Sequence, residues 1–184
     1  MEENDLHERR TGIDVSASPE ALREALVTLL PRLRRFARAL ARDADDADDL
    51  VQIAVERALA RSGQLRPGAP LSSWMFGIVR NAWLDELRAR GRRVRVFAAE
   101  EAGEQVADAT AGGHAETLAV QDALARLPEE QRAAVALVLI EGFSYKEAAH
   151  IMEVPIGTLT SRLARAREAL QEMLDEGESG RARR

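Results

Sequence analysis

The sequence predicts an all-α fold made of two small helical domains joined by a flexible linker. Three observations carry that prediction. Apolar residues recur at three- and four-residue spacing in each patterned segment. No stretch shows the strict alternation of a half-buried strand. Between positions 96 and 115 the pattern lapses into Ala, Gly and acids, which divides the helices into two groups. The 184 residues suffice for one medium domain or two small ones, and a hydrophobic content of 46% is that of a globular chain. Aromatic residues make up only 4%, so the cores must rest on Leu, Ile, Val and Ala.

Residues 1–18 carry no apolar period and are expected to form a flexible N-terminus. Ser18-Pro19 reads as a cap followed by proline at the first helical position. Leu22, Leu26, Leu29, Leu33, Phe36 and Leu40 then repeat at helical spacing, and Pro31 is expected to kink or divide that run. A second helix begins among Asp45, Asp46, Asp48 and Asp49, whose charges suit a helix N-terminus. Its apolar stripe is Leu50, Val51, Ala54, Val55, Ala58 and Leu59. "SGQLRPGAP", residues 62–70, is a loop by composition. A third helix is predicted from about Leu71 to Arg90, with Leu71, Met75, Ile78 and Ala82 on one stripe. The first domain is thus placed at residues 19–95, the linker at 96–115, the second domain at 116–175 and a flexible tail at 176–184. In the second domain, helices are expected near Glu116–Leu127, Glu129–Ile140, Tyr145–Met152 and Ile156–Asp175.

The last two of these helices form a pattern with chemical meaning. Ser144 and Glu147 fit a capping box, "EVP" fits a turn, and Leu159, Leu163, Ala166 and Leu170 form the buried stripe of a longer helix. Thr160, Ser161, Arg162, Ala164, Arg165 and Arg167 are left outside. That face suits a DNA major groove: guanidinium groups hold phosphates or read guanine, hydroxyls read base edges, and a methyl meets thymine. An ordinary helical hairpin with solvated arginines is the other reading of the same spacing. Such turns usually carry Gly where this chain has Glu153, and a left-handed glutamate there costs about 1 kcal/mol.

Charge position matters more than the total of −5. Acids gather at residues 2–8, 43–49 and 100–108, and arginines at 88–95 and 162–167, with Lys146 the only lysine. Local patches, not the total, govern nucleic-acid binding. The absence of cysteine excludes a disulfide framework and thiolate metal sites, and fits a reducing compartment. His7, His114 and His150 are scattered, with no phosphate loop or nucleophile motif, so no catalytic residue, metal or cofactor is expected. No apolar run nears the ~20 residues of a membrane span, and the start "MEENDLHERR" is too charged to be expected to act as a secretory signal. A cytoplasmic protein without stable membrane insertion is expected.

The segment "LARLPEEQRAAVALVLIEGFSYKEAAHIMEVPIGTLTSRLARAREAL" resembles region 4 of a bacterial RNA polymerase sigma factor. "DADDLVQIAVERAL" resembles the core-binding helix of region 2, and "LSSWMFGIVRNAWLDELRARGRR" its promoter-melting helix. These resemblances cover residues 31–94 and 118–174, and the order without a separate region 3 is similar to that of the extracytoplasmic function (ECF) group. The resemblance implies an alternative sigma factor in a stress or envelope response. RNA polymerase core, promoter DNA and an anti-sigma factor are the implied partners.

By the same resemblance, Asp48, Asp49, Gln52 and Glu56 face polymerase core. Arg80, Asn81, Asp85, Arg88, Arg92 and Arg93 serve the −10 element, where an amide can read an exposed base. The loop 62–73 matches the segment that cradles a flipped base. Trp74, Phe76 and Trp83 are candidates for stacking on bases or for core packing. Pro155, Gly157, Thr158, Thr160, Ser161, Arg162, Ala164 and Arg165 serve the −35 element. The acidic linker residues Glu100, Glu101, Glu104 and Asp108 resemble the negative linker that family members thread through polymerase. Two other readings compete: a stand-alone helix-turn-helix regulator, which leaves the first domain's motifs unexplained, and a sigma mimic that titrates an anti-sigma factor, against which the arginines at both DNA faces argue.

Overall fold

The computed structural model describes residues 19–41, 43–66, 68–97 and 122–181; the expectations for the N-terminus, for positions 98–121 and for the last three residues lie outside them. All regular structure among the described residues is helical. Helix α1 spans Pro19–Leu40, α2 Ala44–Ala60 and α3 Leu71–Phe97. A 3-10 turn, Ser62–Gln64, follows α2. In the second half, residues 122–126 are helical. Helix α4 is Glu129–Val135, continued by a π-helical turn over Ala136–Ile140; α5 is Tyr145–Ile151 and α6 is Ile156–Arg181.

Pro31 does not divide α1. Proline removes one N–H from the ladder, but Pro31 and Val27, whose carbonyl it leaves, both sit on the exposed side, where water can satisfy that carbonyl. Helix α2 starts at Asp43, whose carboxylate accepts from the backbone N–H groups of Asp45 and Asp46 at 2.8 and 3.1 Å, an N-cap. The predicted stripe of α2 holds for Leu50, Val51, Ala54 and Ala58, which are buried. Leu59 is exposed instead, because it falls off the buried arc as the helix turns. Helix α3 runs seven residues past its expected end at Arg90. The arginine run that reads as a polar terminus is held to the helix by ion pairs: Arg90 to Glu86 at 3.0 Å and to Asp46 of α2 at 2.8 Å, and Arg93 to Glu86 at 3.7 Å. Helix α6 likewise continues beyond the last residue of its apolar stripe, to Arg181.

The halves are packed on one another. Helices α1 and α3 of the first half meet α4, the π-helical turn and α5 of the second. One apolar core runs through both, from Leu33, Phe36, Met75, Phe76 and Val79 to Leu137, Phe143 and Met152. A smaller cluster, Leu124, Leu127, Val135 and Ala166, lies under α6. Arg132 ties residues 122–126 to α4 by donating to the carbonyls of Ala125 and Leu127.

The sequence "EGF" makes the junction. The π-turn ends with the Glu141 N–H donating to Ala136 and the Phe143 N–H to Leu137. Gly142 between them has φ +76°, a left-handed conformation suited to glycine at a helix end. This turn sends Glu141 and Phe143 toward the first half. The Phe143 ring stands edge-on to Phe76 at 4.9 Å, and Phe76 lies 5.0 Å from Phe36. The Arg32 guanidinium lies 5.4 Å from the centres of both Phe76 and Phe143.

Candidate nucleic-acid interface

Helix α5 opens with the complete Ser144–Glu147 capping box. The turn after it holds Glu153 at φ +55°, the left-handed conformation that its place in the turn requires. Helix α6 then buries Leu159 and Ala166 and half-buries Leu163 and Leu170. Pro155, Gly157, Thr160, Ser161, Ala164, Arg165 and Arg167 are exposed along the opposite side, with Thr158 half-buried at its edge. The Thr160 hydroxyl donates to the Ile156 carbonyl and that of Ser161 to Thr158, each at 2.9 Å, so both hydroxyls are held against the helix, each with lone pairs left to accept.

On this helix Ile156 is not among the candidates, and Arg162 departs from expectation. Ile156, at the first position, is 54% exposed, an apolar group beside the exposed polar face. Its place outside the apolar stripe was the available signal. Arg162 is turned inward, and its Nη1 lies 2.8 Å from Oε2 of Glu130 on α4.

On α3, Asn81, Asp85, Arg88 and Arg92 share one exposed face, spaced at i, i+4, i+7 and i+11. Asp85 is also structural: it accepts from Arg57 of α2 at 2.9 Å and from Arg88 at 3.4 Å. Arg93 is exposed beside them. Arg80 is not on that face. It is buried against the second half, with Nη2 donating to the two oxygens of Glu130 at 3.4 and 3.5 Å. Trp83 is also buried, with the Arg90 guanidinium 5.6 Å from its ring centre, and Phe76 is wholly buried in the junction. Trp74 is half-buried. Of the three aromatic candidates, Phe76 and Trp83 are therefore core residues in this arrangement.

The junction carries unusual electrostatics. Burial pushes the Glu129 carboxyl above its ordinary value of 4.5, against the opposing pull of Arg132 and Arg80. The Trp83 indole N–H lies near enough to favour the charged form, yet outside hydrogen-bond geometry. Arg35 is held further into its charged form by its hydrogen bond to Glu141, which outweighs partial burial.

The acidic face of α2 is open. Asp48, Asp49, Gln52 and Glu56 are all exposed, with Gln52 donating to Glu56 at 3.0 Å and Arg34 lying 3.8 Å from Asp48. Ile53, 40% exposed, stands among them. Among the described residues there is no group of three or more metal-ligating side chains, and no helix is long and apolar enough to cross a membrane.

A helix-turn-helix with a basic outer face, joined to a three-helix unit bearing an acidic face and an Asn/Arg face, defines a DNA-binding transcription factor. The Sigma-70 region 2 family model matches residues 26–93, and that for Sigma-70, region 4 matches residues 117–170. The chain is 39% identical over 155 residues to the ECF RNA polymerase sigma factor EcfG of Rhodopseudomonas palustris, covering 84% of this chain and 86% of that protein. It is 42% identical over 173 residues to the ECF RNA polymerase sigma factor SigM of Mycobacterium tuberculosis, covering 91% and 86%. The sigma factor RpoE of Bartonella quintana, solved in complex with the anti-sigma factor NepR, superposes with a TM-score of 0.72 at 36% identity, over 84% of this chain and 96% of that one. The chain belongs to the sigma-70 family, in its ECF group. It is an alternative sigma factor, a DNA-binding factor of transcription initiation.

Proposed function

We propose that the chain divides its work between residues 19–95, which bind polymerase core and open the −10 element, and residues 116–175, which read the −35 element, with residues 96–115 as the spanning linker. The face of Asp48, Asp49, Gln52 and Glu56 meets the core enzyme. Its exposure beside a buried Leu50/Val51 stripe supports that role. Asn81, Arg88, Arg92 and Arg93 contact the opened −10 strand, and Asp85 positions that face through Arg57 and Arg88. Thr160, Ser161, Ala164 and Arg165 enter the −35 major groove, with Pro155, Gly157 and Thr158 at the helix N-terminus near phosphate. Arg80 joins the −10 set once the halves part, and Arg162 joins the −35 set as phosphate displaces Glu130 from it.

The protein works in the cytoplasm, has no active site of its own, and is restrained by an anti-sigma factor, as the NepR-bound relative supports. The single observation that carries this reading is the exposed face of Thr160, Ser161, Ala164 and Arg165 on a capped helix-turn-helix, paired with a second exposed Asn/Arg face on α3.

Its test is run-off transcription with purified polymerase core on a promoter library. Initiation confined to promoters with a shared pair of elements is the expected result. Repression, or silence with every promoter, selects the stand-alone regulator or the mimic instead.

A further inference from the structure

One carboxylate, that of Glu130, touches an arginine from each half. Arg80 of α3 approaches both its oxygens at 3.4 and 3.5 Å, and Arg162 of α6 lies 2.8 Å from Oε2. The two guanidinium groups are largely enclosed, their side chains 9% and 21% exposed, while Glu130 retains 39%. Such an arrangement, two arginines converging on one pair of anionic oxygens, is the geometry with which proteins hold a phosphate.

From this we infer that Glu130 is an intramolecular stand-in for DNA phosphate. In the closed chain it occupies one arginine of the −10 set and one of the −35 set together. The inference rests on the proposed DNA roles of those arginines. Three features fit it. Arg80 and Arg162 are the only −10 and −35 candidates among the described residues turned inward rather than outward, apart from the half-buried Thr158. Glu130 lies on α4, outside both candidate sets. The Arg162 contact is an ion pair by distance but not an aligned hydrogen bond, since Nη1 has no partner of good geometry. An off-axis contact of this kind is readily exchanged for a better acceptor. The mask is therefore reversible: separation of the halves frees Arg80, and a phosphate on α6 competes with Glu130 for Arg162.

The test uses the full chain, which contains no cysteine and so accepts a dye pair at Gln64→Cys and Glu168→Cys, both exposed. Dye separation and affinity for −35 duplex are measured without polymerase over a range of salt. Glu130→Gln should shift the population toward the separated form and raise duplex affinity several-fold. It should also steepen the salt dependence by about 0.9 in log–log slope for each phosphate gained. Glu130→Asp keeps the charge but shortens the reach and should fall between, provided far-ultraviolet dichroism shows unchanged helicity in both.

If Glu130→Gln alters neither separation nor affinity, the masking role is wrong. Arg165→Ala in the Glu130→Gln background separates the two levels of failure. If it lowers duplex affinity while Glu130→Gln gave no gain, the inference alone falls. If Arg165→Ala has no effect either, the reading of α6 falls with it.

Discussion

Arg35 of the first half donates Nε to Oε1 and Nη2 to Oε2 of Glu141 at 2.7 and 3.0 Å, a two-pronged ion pair across 106 positions of sequence. Arg32 completes the clasp. Its Nε donates to Oε2 at 3.0 Å and its Nη2 to the Glu141 carbonyl at 2.9 Å. The Glu141 side chain has no exposure, whereas those of Arg32 and Arg35 keep 33% and 52%. A buried carboxylate of this kind needs its partners. Glu141→Gln keeps the shape and removes the charge. Because both arginines remain partly hydrated, the loss should be at the low end for hydrogen bonds to charged groups, about 1–2 kcal/mol. Thermal unfolding should show a midpoint lower by about 2–8 °C, from about 2–4 °C per kcal/mol for a chain of this size. An unchanged midpoint would mean that the clasp is incidental to closure.

Phe143 supplies the apolar part of the same junction. It is 6% exposed and stands against Phe76, which packs on Phe36. Truncating a buried phenylalanine costs about 3–5 kcal/mol. Here the loss falls between the halves, so Phe143→Ala should convert one cooperative calorimetric transition into two. A single transition merely shifted downward would place the contribution of Phe143 within the second half alone.

Glu129 makes closure sensitive to pH. Burial raises its pKa in the packed chain, so the packed state favours the protonated form. Its contribution is fully present below the ordinary value of 4.5 and is lost as pH rises through the elevated one. Near it lie Arg80 of α3, and Arg132 and Glu130 of its own helix. Glu129→Gln removes this penalty. Relative to the parent, the variant should gain stability progressively as pH rises from about 4 through the range just above it. Denaturation midpoints measured at several pH values check this. A constant difference across that range would assign the effect to packing, not ionisation.

Much of this architecture was legible because local signals and tertiary packing agree. The Ser144–Glu147 box, the Leu159/Ala166 stripe and the exposed face of Thr160, Ser161, Ala164 and Arg165 follow from spacing alone. The junction was hidden for physical reasons. Helical periodicity marks a buried face but not which surface buries it, so the Phe76 and Val79 positions on α3 gave no hint of Phe143. The π-turn at Ala136–Ile140 looks in sequence like five more residues of ordinary helix, and it is this turn that delivers Glu141. Arg80 and Arg162 are chemically the same as their exposed neighbours. Only the fold brings Glu130 between them.

The left-handed turn residue offers a simple gain. Glu153 at φ +55° carries a steric cost of about 1 kcal/mol. Glycine removes that cost while adding unfolded-state entropy that offsets part of it. Glu153 is exposed, so no packing is lost. Glu153→Gly should therefore stabilise the chain by about 0.5–1 kcal/mol, with helix-turn-helix geometry and duplex binding retained. Glu153→Val, β-branched at positive φ, should destabilise it. If both substitutions moved stability in the same direction, conformational strain would not be the governing effect.

Ile53 on α2 is the sharpest probe of the face proposed above to meet the polymerase. It is 40% exposed amid Asp49, Gln52 and Glu56, an apolar centre with a charged rim. Protein interfaces are commonly built this way, with the central apolar group losing water on binding and the rim guiding approach. The two kinds of residue should then respond differently to substitution. Ile53→Ala removes apolar area that becomes buried only in the complex. It should weaken core binding by about 1 kcal/mol, roughly fivefold, through faster dissociation, with little change in the free chain's unfolding midpoint. Asp49→Arg reverses a rim charge. It should slow association most at low salt and lose that effect as salt rises, because steering by exposed charges is screened. Stopped-flow association and dissociation with labelled core, at two salt concentrations, reads both. If neither variant changes either rate, α2 does not face the polymerase, and the acidic stripe is simply solvated surface.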